Sequence, residues 1–126
     1  MYVTLIALGG CCTLTKSETS NRFSQLENEH IAFIDAFVAA PSGSPPKAWD
    51  EAAFQSKVQA INRDFAAAAS DMGIRSCPAR KQFLANSQTL FNTDAQFIGT
   101  HHSISPSFAK NKKAQVQQNY TSFSNQ

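Results

Sequence analysis

Apolar residues recur every three or four positions along four stretches of the chain, the spacing that places them on one face of a helix. The first stretch, from about Thr19 to Ala40, carries Phe23, Leu26, Phe33, Ile34, Phe37 and Val38, with His30 on the same stripe. Pro41-Ser42-Gly43-Ser44-Pro45-Pro46 ends it, because proline lacks the amide donor that would continue the ladder. The second stretch, from about Lys47 to Met72, has the cleanest pattern: Phe54, Val58, Ile61, Phe65, Ala68 and Met72 follow one another at alternating spacings of four and three. Asp50 and Glu51 fall in its first turn, where acids favour the helix dipole. Gly73 suits the left-handed position just past its end.

The third stretch opens at Ser76-Cys77-Pro78, a cap position followed by a proline whose fixed φ suits the first turn. It presents Phe83, Leu84, Leu90, Phe91, Phe97 and Ile98, has a polar centre at Asn86, Ser87, Gln88 and Thr89, and is expected to stop at Gly99. The fourth opens at Ser105-Pro106 and carries a thinner stripe of Ala109, Val116, Tyr120 and Phe123, followed by an Asn/Gln-rich end expected to fray. Apart from the short N-terminal stretch, no segment alternates with the period of a strand. Each stripe must be buried against another, and short links favour antiparallel neighbours. The expected fold is all-α: an antiparallel up-down four-helix bundle on a short polar N-terminal tether. A three-helix bundle with a loose C-terminal segment is the alternative.

The N-terminus has a different character. Met1–Leu8 is a short apolar run, Gly9-Gly10-Cys11 follows, and the chain is polar from Thr13 to Gln25. An apolar run closed by small residues has the layout of a secretory signal. The alternative is that residues 1–8 are a buried strand or helix start packed on the domain. Leu8-Gly9-Gly10-Cys11 resembles the lipobox of bacterial lipoproteins, an aliphatic residue and two small residues before a cysteine. The resemblance covers about the first tenth of the chain. It implies that Cys11 is the lipidated residue and the first of the mature protein, with 1–10 a signal peptide, 11–20 a lipidated tether and 21–126 the helical domain. In that family an Asp after the lipidated Cys commonly signals retention in the inner membrane. Cys12 stands there in this chain, which implies an outer-membrane anchor facing the periplasm.

Composition narrows the function further. The chain has 126 residues and a formal net charge of +2, too weak a balance for a nucleic-acid binder. The charge is uneven: residues 1–73 hold five basic and eight acidic residues, and residues 74–126 hold six basic and one acidic. The acidic first helix is therefore expected to pack beside the basic fourth one. A sharper reading has Lys110, Lys112 and Lys113 contacting anionic lipid or lipopolysaccharide. If Cys11 carries lipid, Cys12 and Cys77 remain as a pair that an oxidising compartment can join. Trp49, the only tryptophan, is expected to staple its loop onto the bundle.

Catalytic and metal chemistry find little footing. Glu27 and His30 have the Glu-x-x-His spacing of di-iron bundles, but no second such pair exists and the third and fourth stretches contain no Glu. His101-His102 is a pair in a link with no acidic or Cys neighbour in sequence. There is no Gly-x-Ser-x-Gly and no phosphate-cradling glycine loop. The expectation is no catalytic, metal-binding or cofactor-binding residue and no cofactor. The expected role is a non-enzymatic binding or adaptor module held at the membrane by its N-terminal lipid, with an envelope protein as partner. A ligand- or metal-sensing bundle using His30 or His101-His102 is the alternative.

Overall fold

The computed structural model describes residues 16–40 and 48–124. The lipobox-like residues, Cys12 and the Pro41–Pro46 break lie outside the described residues. Among those described, the chain is all-α: α1 (Lys16–Asp35), α2 (Glu51–Ser70), the single-turn α3 (Met72–Arg75), α4 (Pro78–His101) and α5 (Pro106–Ser124). None of these helices is long and apolar enough to cross a membrane.

Ring contacts fix the neighbours and their directions. Phe33 and Phe37, near the end of α1, meet Phe54 at the start of α2 with centroids 5.9 and 5.6 Å apart. Arg22, near the start of α1, reaches Asp71 just past the end of α2. Phe23 on α1 packs edge-on against Phe123 at the end of α5 at 5.5 Å, and Asp35 pairs with Lys113 near the start of α5. Phe65 of α2 lies 6.1 Å from Phe91 of α4. Phe97 near the end of α4 stacks on Phe108 at the start of α5 at 4.8 Å. The pairs at the helix termini join the start of one helix to the end of another, so neighbouring long helices run antiparallel. One end of the bundle, the near end, holds the start of α1, α3 and the start of α4. The opposite, far end holds the end of α1, Trp49 and the α4–α5 link.

The stripes read from the sequence supply most of the core, but Phe97, read as core-facing, is exposed and covers itself by stacking on Phe108 and His101. Phe23, Leu26, Phe33 and Ile34 are buried on α1; Phe54, Ile61, Phe65 and Ala68 on α2; Leu84, Phe91, Ala95 and Ile98 on α4; Ala109, Val116 and Tyr120 on α5. With three of its residues in the core, α5 is not a loose segment, and the three-helix alternative falls. The caps read at Cys77 and Ser105 are present, and Asp50, read as an acid of the first turn, is itself the cap of α2. Asp50 accepts from the amide of Ala53 at 3.0 Å, Cys77 and Pro78 occupy the cap and first position of α4, and Ser105 Oγ accepts from the amide of Phe108 at 3.1 Å.

The boundaries differ in instructive ways. α1 starts at Lys16, inside the stretch read as tether, and ends at Asp35 rather than near Ala40. Beyond it the chain turns extended and pairs with the α4–α5 link: the Ala39 amide donates to Ile104 O at 2.7 Å and the Ile104 amide to Phe37 O at 3.0 Å. Gly73 does not close α2. Asp71, in extended conformation, ends α2 and recaps the chain, its carboxylate accepting from the Gly73 amide at 2.9 Å. Met72 therefore leaves the stripe and is 64% exposed. Gly99 does not stop α4 either. A Cβ there would meet the Phe54 ring at 3.1 Å, so glycine serves the close approach of α2. α4 runs on to His101, and His102 just past it takes the left-handed conformation with φ 70°.

Phe91 is fully buried and touches Phe33, Phe65 and His30. Phe91→Ala should cost about 3–5 kcal/mol, whereas exposed Met72→Ala should stay within about 0.5 kcal/mol of the parent. Urea denaturation reads both; equal midpoints for the two variants would show that Phe91 is not a core anchor.

Candidate functional site

The most unusual chemistry lies inside the bundle. His30 on α1 and Asp94 on α4 are buried, with His30 Nε2 2.9 Å from Asp94 Oδ2. A carboxylate only accepts, so Nε2 carries the proton and donates. The other carboxylate oxygen, Oδ1, lies 3.1 Å from Lys112 Nζ on α5. Lys112 is one-quarter exposed. Its ammonium also sits 5.5 Å over the Phe108 ring, the long stem bringing the charge in from the surface. His30 Nδ1 has no hydrogen-bond partner among the described residues, and Phe91 meets the imidazole edge-on at 5.2 Å.

All three side chains sit where the apolar period puts core residues. On α4 the buried positions Leu84, Ser87, Phe91, Asp94 and Ile98 are spaced three, four, three and four apart. His30 falls between Leu26 and Phe33, and Lys112 between Ala109 and Val116. A second polar contact lies two turns from Asp94, where Asn119 Nδ2 donates to Ser87 Oγ at 2.9 Å. Burial pushes the Tyr120 phenol up from its ordinary value.

This arrangement is built to hold helices together. A histidine–aspartate pair can serve acid–base catalysis only where substrate reaches the ring, and His30 is fully buried. The Glu27-x-x-His30 spacing does not bring Glu27 and His30 onto a shared ligand; His30 turns to Asp94. His101 and His102 are also kept apart. The His101 ring stacks on Phe97 at 3.9 Å and its Nδ1 lies 2.9 Å from Phe97 O. The His102 ring lies flat on Trp49, 4.2 Å away and 2° from parallel. Among the described residues no group of three or more His, Cys, Asp or Glu side chains is placed to share a metal ion.

Trp49 thus staples the far end through His102, Phe37 and Phe54. Beside it opens a cleft of about 420 Å³ with Phe37, Val38, Trp49, Lys57 and His102 in its walls. Of the three lysines read as a lipid-facing group, Lys112 is tied to Asp94 and Lys113 to Asp35 at 2.7 Å. The second of these pairs joins the acidic first helix to the basic last one, as the charge asymmetry implied. Cys77 is fully buried at the start of α4 and is disulfide-bonded; the chain's other cysteines, Cys11 and Cys12, lie outside the described residues.

Between α1 and α2 a third group of acids meets. Partial burial and the neighbouring Asp64 carboxylate, to which the protonated Glu29 donates, push the Glu29 carboxyl up to about 7, against the opposing contact of Gln25. Burial also raises Glu27. By contrast, the Arg22 guanidinium holds Asp71 below the usual carboxylate range.

Comparison with protein-family models, with curated proteins and with solved structures finds no match for the chain.

Removing one partner of a buried ion group strands the others, so Asp94→Ala should cost about 3–5 kcal/mol. Asp35→Ala, which breaks a surface pair, should cost at most about 1 kcal/mol. Similar losses in denaturation would show that the buried group contributes nothing special. Glu29 gives a pH dependence. Its folded-state value lies above its unfolded one, so the stability it contributes is fully present below about 4.5 and is lost as pH rises through about 7. Glu29→Gln should therefore flatten the fall in thermal midpoint between pH 5 and pH 8 (a window of about 3 units around that titration); an unchanged slope would place the titration elsewhere.

Proposed function

We propose that the protein is a lipid-anchored, non-enzymatic helical adaptor of the bacterial envelope, held in the outer membrane by Cys11 and facing the periplasm, where it binds another envelope protein. The observation that carries this reading is Leu8-Gly9-Gly10-Cys11 followed by polar chain, with a folded helix beginning at Lys16. Lipid at Cys11 confines the domain to a membrane surface and raises its effective concentration for a partner there.

The interior supports the same role. His30, Asp94 and Lys112 are engaged with one another, and His101 and His102 are spent on ring stacking. The disulfide at Cys77 suits an oxidising compartment. In this reading its partner is Cys12, which leaves the Cys11 thiol for the lipid and ties the anchored residue to the start of α4.

The test is mass spectrometry of the protein extracted from bacterial membranes without reduction. The mature chain should begin at an acylated Cys11, with a Cys12 peptide linked to the Cys77 peptide. Cys11→Ser should abolish acylation and release the protein from the membrane fraction. A Cys11–Cys77 link would overturn the assignment, because one sulfur cannot hold both the thioether and the disulfide.

A further inference from the structure

Two large apolar side chains among the described residues are exposed, Met72 at 64% and Phe97 at 37%. Phe97 is sandwiched between the rings of His101 and Phe108, 3.9 and 4.8 Å away, so its exposure is that of a ring edge. Met72 has no such cover. It starts α3, the one-turn helix at the near end, and the contact made by its sulfur is with the Arg75 guanidinium at 3.3 Å.

Arg75 is the cation in contact with Met72. Arg75 and Lys81 are exposed at this end, and neither faces a carboxylate among the described residues. The acid next to Met72 in the chain, Asp71, is already taken by Arg22 at 2.9 Å and by the Gly73 amide. The far end carries both signs, with the exposed acids Asp35, Asp50 and Glu51 and the exposed Lys110 near the start of α5.

Chain length selects which end meets the membrane. Cys11 precedes Lys16 by five positions, a span of at most about 18 Å when fully extended. α1 has 20 residues, so the far end lies about 30 Å further along the bundle. A lipid on Cys11 therefore holds the near end at the bilayer and the far end away from it.

We propose that the α3 corner, Met72 with Arg75 and Lys81, is a membrane-contact surface that rests on an anionic lipid bilayer. This rests on the Cys11 anchor and adds the orientation of the domain upon it. The thioether enters the headgroup boundary as a flexible apolar probe, and the two cations meet lipid phosphates around it. The lysines of α5 are not part of this surface.

Met72 also supplies the readout, because Met1 is the only other methionine in the chain and peroxide converts an accessible thioether to the sulfoxide. The full-length protein purified from membranes is placed on vesicles of phosphatidylcholine, with or without phosphatidylglycerol, and Met72 oxidation is followed by mass spectrometry. Acylated protein on phosphatidylglycerol-containing vesicles should oxidise several-fold more slowly than in detergent-free solution, and on neutral vesicles at nearly the solution rate. Acylation of His101 by diethylpyrocarbonate, at the far end, should not change. Arg75→Glu/Lys81→Glu, two exposed changes whose folding is checked by circular dichroism, should keep the acyl chain and lose the protection. For chains lacking the acyl group, the same double change should weaken partition onto the anionic vesicles by about thirtyfold or more.

Solution-rate oxidation of Met72 in protein that is acylated and vesicle-bound overturns the corner and leaves the anchor standing. So does protection that is equal on neutral vesicles, or protection of His101 in place of Met72. An N-terminus without acyl chains overturns the anchor instead. The corner is then judged on the unacylated chain, where protection of Met72 on phosphatidylglycerol vesicles upholds it and none overturns it.

Discussion

The bundle is organised around one carboxylate that has no access to water. Asp94 is 2% exposed, and a charge so placed is tolerated only where donors surround it. One oxygen takes the His30 N–H from α1 and the other faces the Lys112 ammonium from α5. Apolar stripes alone allow helices to slide by a turn and bury nearly the same area. The carboxylate does not, because a shift of one turn, about 5.4 Å, carries either donor out of reach. The register of three helices therefore depends on this one side chain, and the ring contacts at both ends follow from it.

The same arithmetic explains what the sequence discloses and what it hides. The alternating spacing on α2, from Phe54 to Ala68, identifies that helix and its buried face directly. The starts at Cys77-Pro78 and Ser105-Pro106 are equally legible from the proline that follows each cap position, and Ser105 caps its helix within three residues. Asp94 is harder to see. It lies on the stripe Leu84, Ser87, Phe91, Ile98, but a hydrophobic pattern skips a polar residue. The visible signal is its position in the period, combined with its being the one acid after Gly73. Its partners are 64 and 18 positions away, so only folding reveals them.

Glycine shows the opposite limit. Gly73 and Gly99 both read as helix ends, because glycine past a helix accepts the left-handed backbone. Here Gly99 is inside α4 to admit the Phe54 ring, and the left-handed position passes to His102, held by the flat stack on Trp49. Two residues that read as a histidine pair along the chain thus take different jobs, one capping a helix and the other covering Phe97. Tertiary packing decides between two uses of glycine that look identical in sequence.

The two main-chain hydrogen bonds between Ile104 and the Phe37–Ala39 segment have a consequence for how the molecule opens. No side-chain substitution removes a backbone donor or acceptor, short of proline, and this clasp joins the exit of α1 to the link that precedes α5. Neither segment can fray alone without exposing polar backbone that the other had satisfied. The far end should then behave as one cooperative unit, a foldon whose amides exchange with solvent only when α1 and α5 separate. The near end is held differently, by side chains around α3 and by the disulfide at Cys77.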